Sequence, residues 1–210
     1  MTIRRPWVVG VTGASGTPYA ASFIRGLLEA GESVDLIVSQ AARLTILDEE
    51  RLAFRDAHWR TDLESWIGPH QGDIEYWSAR DFAAGPSSGS YLTQGMGIIP
   101  ASAACVSGVA LGLSKDLIQR AAAVTLKERR PLLLMVRESP YTRSLLKRMT
   151  ELVDEGATIM PASPAFYGKP DSIQELVDFV AGRALDVLGI DTNYRGRWTG
   201  LDLGQVPDPS

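Results

Sequence analysis

Trp7-Val8-Val9-Gly10-Val11-Thr12-Gly13-Ala14-Ser15-Gly16 is a short β-branched run that leads straight into a glycine-bracketed turn. A helix-compatible segment follows from Pro18 to Ala30. An apolar run of this length, closed by turn signals, reads as a buried parallel strand. Gly13 and Gly16 admit backbone angles closed to other residues and let a ligand approach the main chain. Pro18 suits a first helical turn, where its missing N–H costs nothing. The N–H groups at that helix start, with the hydroxyl of Ser15, form an anion site aimed at a phosphate. A strand-to-helix turn that binds nothing is the plainer reading. The clustering of Gly, Ser and Gly directly after the first strand favours the phosphate.

A nicotinamide dinucleotide fits these residues poorly. The glycines fall at 10, 13 and 16 rather than in G-x-G-x-x-G, and the second strand, Val34 to Val38, ends in Ser39-Gln40 where an acid would hold the ribose. The turn also resembles the opening of short-chain dehydrogenases, but none of the six tyrosines is followed four residues later by Lys; Tyr76, with Arg80, comes nearest. A mononucleotide such as FMN, which needs one phosphate site, fits better.

The 210 residues, 45% hydrophobic and 22% charged with net charge −4, suit one soluble domain over residues 1–188 with a polar tail over 189–210. This charge balance argues against nucleic-acid binding. Cys105 is the single cysteine, so there is no disulfide framework or thiolate metal site. No metal site is expected at His58 or His70, which lack spaced partners. Arg4 and Arg5 precede no signal-peptide run, and no stretch reaches membrane-spanning length, so a cytoplasmic location is expected.

Further along, Gln40 to Asp48 reads as a helix with Ala41, Leu44, Ile46 and Leu47 as its apolar members. Of the acids that close it, Asp48, Glu49 and Glu50, two read as solvated surface. Arg51 to Arg80 is the least regular part, and Gly85 to Ser90 a functional loop. Gly97 to Pro100 makes a strand, and Ala101-Ser102-Ala103-Ala104 repeats the strand–small-residue–helix junction, with Ser102 as a cap. Asp116 to Glu128 is a helix. Pro131 to Val136 is the clearest buried strand, and it ends in Arg137-Glu138, where open α/β sheets collect ligands. Tyr141 to Glu155 is amphipathic, Thr158 to Met160 is a last strand, and Ser172 to Leu188 a last helix. Ser172 and Glu175 form a capping box there. Its apolar stripe is Ile173, Leu176, Val177, Val180, Ala184 and Val187, and Arg183 on its shoulder calls for an anionic partner or a snorkelling pose. Strands alternating with helices predict a three-layer α/β/α sandwich around a mainly parallel, Rossmann-like sheet. Gly13–Gly16, Ser39, Ala101–Ala104 and Arg137-Glu138 then share one rim.

Val11-Thr12-Gly13-Ala14-Ser15-Gly16, Ser39-Gln40-Ala41-Ala42, Ser88-Gly89-Ser90, Arg120-Ala121-Ala122, Leu126-Lys127-Glu128-Arg129-Arg130-Pro131-Leu132, Val136-Arg137-Glu138, Pro164-Ala165-Phe166-Tyr167 and Arg197-Trp198 together resemble the flavin prenyltransferases of the UbiX/Pad type. The resemblance runs from about Val8 to Trp198. It implies a flavoprotein fold and the joining of a dimethylallyl group to N5 and C6 of reduced FMN without a metal. The prenylated FMN would pass to a UbiD-type decarboxylase. It implies FMN contacts at Gly13, Ala14, Ser15, Ser39, Ala101, Ser102, Ala103, Ala104 and Arg137. Dimethylallyl phosphate contacts are implied at Tyr167 and Arg183, with Arg120 and Lys127 nearby. Ser15, Glu49, Lys127 and Glu138 are the implied catalytic residues. It further implies a homo-oligomer, often a dodecamer, with sites near subunit contacts. Ala101 and Ala104 depart from the family pattern, which removes any side-chain contact at position 104. An FMN-dependent decarboxylase or oxidoreductase, or a non-catalytic FMN carrier, would use the same flavin residues. The Arg120, Lys127, Tyr167, Arg183 set favours the transferase, since fixed donors of this kind neutralise a leaving phosphate.

Overall fold

The computed structural model describes residues 4–192. Six strands form one parallel sheet in the order β3-β2-β1-β4-β5-β6, comprising β1 (Trp7–Val11), β2 (Val34–Val38), β3 (Ile74–Ser78), β4 (Gly95–Ala101), β5 (Leu132–Val136) and β6 (Thr158–Pro161). Between them run α1 (Thr17–Glu29), α2 (Gln40–Glu50), α3 (Trp59–Ile67), α4 (Ala103–Ala110), α5 (Leu117–Lys127), α6 (Arg143–Asp154) and, last, α7 (Ile173–Val187).

The period-two alternation of β1 decides which residues face which layer. Trp7, Val9 and Val11 join α1, α3 and α7 in one core, while Val8 joins α4, α5 and α6 in the other. Gly10 also faces the second layer, where a Cβ would stand 2.9 Å from Ile118 Cγ2. β1, β2 and β5 are buried along their whole length, as strands covered on both faces must be. The three-layer expectation therefore holds.

The stretch 51–80 differs from its irregular reading. It contains α3, whose Leu63, Trp66 and Ile67 repeat at helical spacing and join the core on the α1 side of the sheet, and the edge strand β3. Flanking Gly68-Pro69 and the mixed polarity of Ile74-Glu75-Tyr76-Trp77-Ser78 masked both. An edge strand is only half covered and carries no apolar run. The apolar stripe of α7 also differs: Val177, Val180, Ala181, Ala184 and Leu185 are buried, whereas Ile173 is 80% and Val187 43% exposed. In α2, Ala42 and Ile46 are buried while Leu44 and Leu47 face outward. The capping box of α7 is half made, because Ser172 accepts from Glu175 N but the Glu175 carboxylate accepts from Asp171 N. Ile190, just past the expected boundary at 188, is buried in the core. Arg197 and Trp198, with the rest of 193–210, lie outside the described residues.

Candidate active site

Five strand ends meet at the carboxyl rim through a line of four backbone hydrogen bonds. Ser39 N donates to Val11 O (3.0 Å), Thr12 N to Pro100 O (3.3 Å), Arg137 N to Ala101 O (3.4 Å) and Ala162 N to Val136 O (3.0 Å). The rim thus brings together Gly13–Ser15, Ser39, Ala101–Ala104 and Arg137. The Arg137 Nε donates to Ser15 O (3.3 Å), joining the β5 end to the first turn. Glu138 is exposed beside it and accepts from Ser139 N (3.1 Å).

The two glycines of the first turn have different work. Gly16 has φ +110° and stands as the N-cap of α1. Gly13 has no such torsion; a Cβ there would lie 2.4 Å from the Ala41 Cβ, so it lets the turn close onto α2.

The start of α1 is not left open for a ligand phosphate, contrary to expectation. The Glu49 carboxylate fills it, accepting from Gly16 N (3.0 Å), Thr17 N (2.8 Å) and Thr17 Oγ1 (2.7 Å). Burial pushes the Glu49 carboxyl up, but hydrogen bonds from Ser15, Thr17 and Gly16 outweigh it and hold the group below its usual range. Glu50 goes the other way, raised by burial and by Glu49 despite the Thr17 hydroxyl. Glu49 thus couples α2 to the Ser15 turn.

Open N-termini remain at α2 and α4. Ser39 caps α2 by accepting from Ala42 N (3.0 Å), and Ser102 caps α4 by accepting from Cys105 N (3.3 Å). The preceding first-turn N–H groups, Gln40 and Ala41 in α2 and Ala103 and Ala104 in α4, have no intrahelical acceptor and point to the rim. Gly13, Ala14, Ala103 and Ala104 have only small side chains, which leaves space for a flat ring against the backbone. The donors and the small-residue wall are of the kind that fits FMN.

The four phosphate-binding candidates divide between the two faces of the sheet. Tyr167, in the loop after β6, rests edge-on against Phe179 of α7, ring centroids 5.6 Å apart. Arg183, one turn further along α7, is 48% exposed and pairs with Asp186 (2.9 Å). Its shoulder position turns outward to a carboxylate rather than into the core. On the opposite face, Arg120 of α5 donates to Ser87 O (2.9 Å). Lys127 pairs with Glu128 at the far end of α5, beside Gly89. Helix α5 begins next to Ala79 O, at the end of β3, and returns toward the start of β5. Lys127 is therefore about 15 Å down the helix from the rim. Sequence reading missed Thr12 and Thr17, whose hydroxyls organise the rim. Thr12 directly follows β1 and Thr17 opens α1, and a hydroxyl residue at each of these junctions was the signal.

A family model described as Flavoprotein matches residues 1–185. A flavin prenyltransferase UbiX of Streptomyces coelicolor is 60% identical over 210 residues, covering 95% of this chain and 97% of that protein. The chain belongs to the flavin prenyltransferases. Among solved flavin prenyltransferase relatives, AnUbiX (PadA1), in complex with FMN and dimethylallyl pyrophosphate, superposes with TM-score 0.84 at 35% identity, covering 95% of this chain and 100% of that one. A dodecameric FMN-dependent UbiX-like decarboxylase from Escherichia coli O157:H7 superposes with TM-score 0.82 at 34% identity, covering 93% and 100%. The described residues of this flavin prenyltransferase hold no cluster of three metal-ligating side chains. None of its described helices is long and apolar enough to cross a membrane.

Proposed function

We propose that this flavin prenyltransferase takes dimethylallyl phosphate as donor and delivers prenylated FMN to a UbiD-type decarboxylase, working as a homo-oligomer. The observation that carries the chemistry is the Ser15 turn, fastened by Glu49 and Arg137 and flanked by the open N-termini of α2 and α4. Reduced FMN, when bound, supplies the nucleophilic N5 and the C6 at which the new ring closes. The residues of the chain hold and orient. First-turn N–H groups of α2 and α4 take the flavin phosphate, and Arg137 closes over the rim. The Ser15 hydroxyl, kept in place by Glu49, faces the donor phosphate. Tyr167 and Arg183 add a hydroxyl and a planar fork, which strengthen as charge develops on the departing phosphate. Glu138, exposed on the rim, accepts the proton released at ring closure.

Arg120 and Lys127 join the same phosphate from a neighbouring copy, because one chain holds them on the sheet face opposite Tyr167 and Arg183. Leu44, Leu47, Leu146 and Val153 are each between 48% and 68% exposed on α2 and α6, and they supply apolar surface for such contacts.

The test is anaerobic incubation of the purified protein with reduced FMN and dimethylallyl phosphate, with mass spectrometry of the released flavin. One added dimethylallyl unit is expected. Unmodified FMN with both mono- and diphosphate donors would replace the transferase by a flavin carrier.

A further inference from the structure

We infer that Thr12 is a positioning residue that sets the width of the flavin crevice. The inference rests on the flavin site proposed above. Regular pairing of β1 with β4 ends at Gly10–Ile98, and the β4 register shifts between Ile98 and Ala101. Beyond that point α1 leaves for one face of the sheet and α4 for the other. Such a divergence opens a crevice at the switch point of an α/β sheet, and ligands bind there. Past that point a long backbone bond, Thr12 N to Pro100 O (3.3 Å), is what the ladder leaves to hold the two lips, Gly13–Ser15 and Ala101–Ala104, against each other.

Thr12 shares that task. Its side chain is 4% exposed, and its Oγ1 donates to Pro100 O (2.7 Å) while accepting from Ser102 N (2.8 Å). One hydroxyl thus reinforces that long rung with two shorter bonds, using its proton and one lone pair. The bond to Ser102 N also fixes the N-cap of α4, and with it the direction of the Ala103 and Ala104 N–H groups. Since the hydroxyl is engaged on both sides within the protein, Thr12 acts through the backbone that touches the flavin.

Thr12→Val keeps the shape and removes both bonds. Thr12→Ser keeps the hydroxyl and removes the methyl. Thr125→Val removes a buried hydroxyl bonded to Ala121 O (2.8 Å) inside α5, away from the rim, and serves as the control for a purely structural loss. FMN affinity is measured by flavin fluorescence quenching, alongside the visible spectrum of bound flavin and the unfolding midpoint. For Thr12→Val the dissociation constant is expected to rise about tenfold or more, with an altered bound-flavin spectrum. Thr12→Ser and Thr125→Val stay within about threefold of wild type, although both lose some stability. In steady state, KM for reduced FMN rises with Thr12→Val while KM for dimethylallyl phosphate does not. Wild-type affinity and spectrum in Thr12→Val would overturn the inference, as would equal weakening in Thr12→Ser. If Thr12→Val does not fold, Thr12→Ser decides alone: near-wild-type affinity supports the hydroxyl and a tenfold loss overturns it. Failure of the wild type to bind FMN would remove the flavin site itself, and the inference with it.

Discussion

At Glu49 a single carboxylate does what a bound anion does at other helix starts. Its pKa lies below the usual 4.5, so its stabilisation is present above that value and is lost as pH falls through the lower folded value. Glu49→Gln is expected to cost about 1 kcal/mol at pH 7, in the range of an exposed cap at a helix N-terminus. The difference from wild type shrinks in denaturation curves recorded near pH 3. An unchanged difference at low pH would deny the charge its role. Glu138→Gln makes a separate prediction: the chain should still break the donor bond but stall before ring closure, so that a singly attached adduct builds up in quenched reactions. Finished product at the wild-type rate would remove Glu138 from the proton transfer. The identities of Ser15, Glu49, Arg137 and Glu138 were legible in the sequence. What Glu49 binds was not, because its partners lie some 30 residues away on another element and no spacing rule connects them.

Between elements, the packing of α2 against the first turn depends on the absence of a side chain at Gly13. Gly13→Ala would drive a methyl into Ala41 and should cost about 1–3 kcal/mol by overpacking. Ala41→Gly in the same chain should recover part of that loss, a coupling that a double-mutant cycle on unfolding free energies measures directly. The amino end of the sheet is held by charge. Asp35 of β2 is fully buried and bonded to Arg4 (2.7 Å) and to the Tyr91 hydroxyl (2.9 Å). Burial pushes its carboxyl up, while Arg4 and Tyr91 pull it down by less. Arg4→Ala strands that carboxylate and should cost about 3 kcal/mol at neutral pH. Because the folded carboxyl then sits further above its unfolded value, lowering the pH should return stability to the variant, which thermal melts across pH detect. The buried strands were readable as apolar runs, and most helices from caps and periodicity. The edge strand β3 and α3 were not, because half-exposed elements mix polar and apolar residues as loops do. Arg183 shows the same limit: spacing put it at the border of a stripe, and only packing decided that it turns outward.

For the whole molecule, the division of the four candidate phosphate ligands between the two sheet faces would, on the proposed function, make activity a property of the assembly. Lys127→Ala and Arg183→Ala should each be nearly inactive alone. Mixed and reassembled, they should regain a measurable share of activity, since some sites then draw an intact Lys127 and an intact Arg183 from different chains. Assays of the mixture before and after subunit exchange test this, and no recovery would return all four groups to one chain. The sheet edges bear on how such an assembly grows. Strand β6 has only four residues and ends in Pro161, which has no N–H to offer, while β3 carries Glu75 outward beside partly covered neighbours. Neither edge is a template for another strand. Any copies of this chain that assemble would then meet through helix faces and loops, and crowding at high concentration should yield discrete particles rather than fibrils.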